Sequence, residues 1–127
     1  MQITFISAML FLNALWDFAS FFGLSVQSDN AIARTQLFIW KEDQTDAVVT
    51  RSCMGWFIVT IGQLRLIAAI HPEYFAFGAM SYMIEASFAL QGIIDGSMKK
   101  RQAFIVFILC AIPFLIILYE LHIAHRQ

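Results

Sequence analysis

Charge is what this 127-residue sequence has least of: Asp, Glu, Lys and Arg make up 13% of it, where soluble domains average about 25%. Eight basic and nine acidic residues leave a net charge of -1. No basic face of the kind nucleic acid requires can be built from that balance, so nucleic-acid binding is excluded. Cysteine is down to two residues, Cys53 and Cys110. That is too few for a disulfide framework or a structural zinc site, and both fall in apolar stretches where they read as small hydrophobic fillers. A Gly-rich phosphate loop, a nucleophile elbow and an HExxH helix are all missing. No catalytic residue and no metal site is assigned, and a non-enzymatic role is expected. The N-terminus also lacks a positive n-region and a small-x-small cleavage site, so the first apolar segment is expected to be a retained span and not a cleaved signal peptide.

What is present is apolar. Hydrophobic residues make up 60% of the chain, 13 of them Phe, and the mean hydropathy is +0.71. A soluble protein of this size cannot hide so much apolar surface. Four segments approach the roughly 20 residues that cross about 30 Å of hydrocarbon: 3–26, 52–70, 74–94 and 102–119. Ten-residue alternating runs are absent, so helices and not barrel strands follow. The predicted fold is all-α, an integral membrane four-helix bundle forming a single four-span domain over 1–127, with a kink expected at Pro113.

The connections are unequal. Residues 27–51 form a charged loop expected to lie at the membrane interface, with Trp40 at the end of "LFIW" as an interfacial anchor. The turn at His71-Pro72 is short, so spans two and three should form an antiparallel hairpin. Arg34, Lys41, Arg51, Lys99, Lys100 and Arg101 all fall on one side of a four-span topology. Positive-inside bias puts the 27–51 and 95–101 loops in the cytosol, stroma or matrix, and the acidic cluster Glu42, Asp43 and Asp46 counts little against it. The host membrane is expected to be that of an organelle (mitochondrial inner or thylakoid) or the endoplasmic reticulum.

Helical spacing sorts the polar residues into faces. Gly78, Ser81, Glu85, Ala89 and Gly92 share one stripe of span three. Gly55, Gly62 and Ala69 make a sparser one in span two, and Asn13, Asp17 and Ser20 lie together in span one. Small residues let helices approach closely, so these stripes point inward and most Phe outward. Three ionisable residues then lie within spans: Asp17, Arg65 and Glu85. Each costs about 2.5–3.5 kcal/mol at a helix centre on insertion scales, which pairing reduces. Arg65–Glu85 is the first choice because the two spans are consecutive. Their depths differ by roughly 9 Å at about 1.5 Å per residue, which makes Asp17 a rival partner. A structural polar cluster is the favoured reading. A proton or ion path through the same residues is the alternative: small drug exporters are similar in size and use a Glu in their first span, where this chain has Asp17 in "NALWDFAS". At the end of span four, His122 and His125 stand at i, i+3 beside Glu120, a spacing that can ligate a metal or a chlorin. The favoured reading is that they are interfacial polar residues where the helix leaves the membrane, because a metal site needs more ligands than this pair offers.

The stretch from Arg51 to Ser97 resembles the ergosterol biosynthetic protein twenty-eight family of small four-span membrane scaffolds. Arg51 opens span two with Gly55 and Trp56 close behind, Arg65 lies deeper in the span, and Gly96-Ser97 looks like the Gly-Thr turn after span three. The resemblance implies a non-catalytic tether that gathers partner enzymes in a membrane. This chain has Ser87-Phe88 and Gln91 where the family has a His-Phe pair followed by an acid, so sterol biology does not carry over with it. The expected function is a non-enzymatic scaffold or accessory subunit of a larger membrane complex, respiratory or photosynthetic. Its expected partners are other membrane subunits and lipids, with chlorin or carotenoid possible on the Phe-rich faces. A sterol-enzyme tether and a small proton-coupled transporter are the alternatives.

Overall fold

A computed structural model describes residues 2–26, 30–41 and 48–126. The described residues are helical apart from turns and one isolated backbone bridge. The helices are α1 (Gln2–Ser25), α2 (Ala31–Leu37), α3 (Val48–Ile70), α4 (Phe75–Asp95) and α5 (Lys100–Arg126), with a 3-10 turn at Pro72–Tyr74. The acidic cluster Glu42, Asp43 and Asp46 lies outside the described residues.

The helix ends follow from local chemistry. α3 stops before His71-Pro72 because a residue preceding proline is driven out of the helical region, and His71 is extended (φ -121°, ψ 91°). Proline then opens the 3-10 turn, where its missing N–H costs nothing. α4 ends at Gly96, whose φ of 76° is the left-handed cap geometry that glycine adopts without strain. Just before it, the Asp95 carboxylate accepts the Ser97 hydroxyl at 2.6 Å and the Ser97 backbone N–H at 2.9 Å. Those two bonds hold the Asp95 carboxyl below the usual carboxylate range. α5 runs without a break through Pro113.

Compared with the sequence expectation, α3 starts earlier than residue 52 and takes Arg51 into its first turn. α5 extends past residue 119, so that His122 and His125 are helical. The 27–51 connection also contains a helix. Asn30 caps α2, its Oδ1 accepting the Ala33 N–H at 2.8 Å while its Nδ2 donates to the Gly23 carbonyl at 2.9 Å.

Packing divides the long helices into two pairs. α1 packs along α3, α4 packs along α5, and the α3–α4 hairpin joins them; α1 and α5 barely touch. The small residues of the span-two stripe face α1. A Cβ at Gly62 would stand 2.9 Å from Asp17 Cβ, and Gly55 meets Phe21 and Leu24. Gly78 of α4 fits against Leu10 and Ala68, and Gly92 is filled by Met98. Six of the 13 Phe are well exposed and only Phe75 is fully buried. One core cluster gathers Ile6, Leu10, Ala68, Phe75, Tyr82 and Ile117; the other gathers Leu24, Leu37, Ile39, Ile58 and Met98.

The two longer connections meet at one end of the molecule. The Lys99 N–H donates to the Ile39 carbonyl at 2.7 Å, and the Lys41 N–H to the Ser97 carbonyl at 3.3 Å, around the Trp40–Met98 bridge. Leu37 and Ile39 are buried here, and Trp40 packs edge-on against Phe88 at 5.7 Å. "LFIW" therefore ties the α4–α5 connection to the segment that follows α2 and packs against α4.

Among the described residues, three helices are long and apolar enough to cross a membrane: α1, α3 and α5. α4 has 21 residues and so the length. Its polar stripe lowers its apolarity.

Candidate functional site

Arg65 is the centre of the polar interior, 3% exposed. Its Nη1 donates to Asp17 Oδ2 at 2.8 Å, its Nη2 to Glu85 Oε2, and its Nε to Ser81 Oγ at 3.1 Å. The guanidinium also lies 4.1 Å from the centre of the Tyr82 ring, within cation–π range. Ser81 in turn donates to the Gly78 carbonyl at 2.6 Å, and Asn13 Nδ2 donates to the Tyr82 hydroxyl at 2.8 Å. The rival partners of Arg65 are therefore both partners. The five donors of a planar guanidinium allow this, whereas a Lys ammonium would present a single point charge.

The register of the hairpin leaves a depth mismatch of about one helical turn, which the Arg65 side chain spans. Counting outward from Glu73 at the turn, Ser81 is the residue level with Arg65, and Arg65 Nε bonds to it. Glu85 is one helical turn further along the same face, because i and i+4 side chains are neighbours. The guanidinium reaches past Ser81 to that next turn. Asp17 arrives from α1 because Gly62, one turn before Arg65, lets α1 approach.

A second polar contact ties α2 down. Gln36 Nε2 donates to Ser20 Oγ at 2.9 Å, and Ser20 donates to the Trp16 carbonyl at 2.7 Å. A third completes the end of α1, which has no basic residue in its own last turn. Arg51 donates to the carbonyls of Gly23 (3.3 Å), Leu24 (3.3 Å) and Val26 (2.7 Å). A cation at a helix C-terminus satisfies orphan carbonyls and opposes the negative end of the dipole. Sequence reading placed Arg51 at the start of a span but not against α1, because that contact depends on how α1 and α3 pair.

The remaining predicted residues lie apart. His122 and His125 are exposed, and no group of three or more potential ligands surrounds a point among the described residues. Among the described residues, Glu120 Oε2 is buried without a hydrogen-bond partner. His71 pairs with Glu73 at 3.5 Å. Cys53 is exposed and Cys110 buried; the latter faces Glu85.

No family model, curated protein or solved structure matches the chain.

Proposed function

We propose that the chain is a non-enzymatic, multi-pass membrane protein in which α1, α3, α4 and α5 all span, and that it serves as a scaffold or accessory subunit of a larger membrane complex. The observation that supports this most is its inverted polarity. The interior holds Arg65 with Asp17 and Glu85, while Phe22, Trp56, Ile94 and Leu109 stand outward on the four long helices, each more than 60% exposed. Such an exterior suits lipid or the apolar faces of other subunits. The connections between the long helices are short, which suits a role carried by the helices themselves. Respiratory and photosynthetic assemblies are the hosts that fit, with lipid, chlorin or carotenoid against the aromatic faces. The junction of the two longer connections carries Lys41 and Lys99 and is read as the cytosolic, stromal or matrix end.

Purification from the native membrane in a mild detergent, followed by mass spectrometry of what migrates with the chain, tests this reading. The expected result is co-migration with other membrane subunits in a complex much larger than 14.5 kDa. Recovery with sterol C4-demethylation enzymes narrows the role to the tether that the Arg51–Ser97 resemblance implies. A free homodimer supporting proton-coupled flux overturns it.

A further inference from the structure

Because α1 and α5 barely touch, a cleft of about 340 Å³ opens between them. That volume is in the range of small-molecule sites, about 300–1,000 Å³. Asp17, Arg65 and Glu85 line its polar part, and Trp16, Phe38 and Leu109 line its apolar part. With both carboxylates ionised, the one guanidinium leaves a surplus charge of -1. An uncompensated charge in an apolar medium is costly, so the site favours whatever supplies the missing positive charge.

The two carboxylates are not equivalent. The Asp17 side chain is 8% exposed and the Glu85 side chain 29%. Glu85 is thus the accessible acid. The groups facing it are Arg65 from α3, Asp17 from α1, Cys110 from α5 and Tyr82 from its own helix, and only Arg65 is cationic. Independently, Trp16 and Phe38 are 43% and 41% exposed and line this same cavity. Aromatic faces beside a surplus carboxylate are the combination that recognises organic cations.

We propose that the α1–α5 cleft binds a hydrophobic monocation, an amine or onium ion with apolar substituents. Its charge rests between Glu85 and the rings of Trp16 and Phe38, and its apolar part lies between the two helices. An anion of the same shape meets the surplus negative charge and is rejected. A proton neutralises the same surplus, so proton and ligand compete. The inference is independent of whether the chain has protein partners.

The test is equilibrium binding of radiolabelled tetraphenylphosphonium to the full chain in nanodiscs of zwitterionic lipid, with empty discs subtracted and tetraphenylborate as the shape-matched anion. Saturable binding of the cation that weakens as pH falls is expected. Glu85→Gln should weaken it by at least about tenfold, and Trp16→Leu by about two- to fivefold, the size of an exposed cation–π contact. Trp16 lies at the rim, so it decides the matter if the Glu85 variant loses helicity. Absence of saturable binding, equal binding of tetraphenylborate, or unchanged affinity in the correctly folded variants overturns the proposal.

Discussion

α3 and α5 are both long apolar helices, and they differ most in how much the protein covers them. Of the apolar stretch of α3, 39% is buried inside the protein; of that of α5, 11%. Yet α5 is the more apolar of the two. In a water-soluble bundle the order is reversed, because a helix hydrophobic all round is the buried one. Here the more apolar helix is the more exposed one, while Asp17, Ser20, Arg65 and Ser81 are buried. Lipid tails are as apolar as leucine, so close packing and polar contacts, not hydrophobicity, hold the helices together. α3 carries Arg51, Gly55, Gly62 and Arg65, and each of them contacts α1 or α4.

Removing the cation at the centre of α3 should test that contrast most severely. Arg65→Leu leaves the buried Asp17 carboxylate and the partly exposed Glu85 carboxylate without their partner, and about 3 kcal/mol of stability is expected to go. Unfolding in mixed detergent micelles, followed by circular dichroism, measures it. A loss under 1 kcal/mol would contradict a structural role for the cluster. Next, Gly62→Val forces a side chain into Asp17 and should cost about 1–3 kcal/mol by overpacking, measured in the same assay; a neutral result would mean that α1 and α3 are not in close contact there. Arg51→Ala should cost about 1.5 kcal/mol by releasing the carbonyls that end α1. Hydrogen exchange should accelerate locally near that end, and acceleration spread evenly along α1 would argue against the cap. At the bottom of the scale, Leu109→Ala on α5 should change stability by less than about 0.5 kcal/mol. A loss as large as that of Gly62→Val would show that α5 is packed within the chain and not turned outward.

Much of this was legible in the sequence. The presence of the three long apolar helices α1, α3 and α5 follows from length and apolarity, and His71-Pro72 and Asp95-Gly96 mark the ends of α3 and α4 through backbone chemistry that acts over a few residues. The inward stripe of Gly78, Ser81 and Glu85 is visible in helical periodicity. The partner of Arg65 is less so, since periodicity gives a face and not a register. Only with Ser81 level with Arg65 does the reach to Glu85 follow. α2 was hidden because seven residues carry little periodic signal, and its anchors, Ser20 and Gly23, lie in another helix. The junction of residues 39–41 with 97–99 was invisible for a related reason. It is made by backbone groups, which every residue has. The α1–α5 cleft is a gap between elements, and no local pattern encodes it.

The cap on α1 has a consequence for the order of events during synthesis. The carbonyl of Leu24 is satisfied by a residue 27 positions later in the chain. When α1 first enters the membrane its last turn is incomplete, and it stays so until the start of α3 emerges. The end of the first helix is thus finished by the beginning of the third. Arg51 precedes Arg65 along the chain, so the contact that caps α1 becomes available before the one between Arg65 and Asp17.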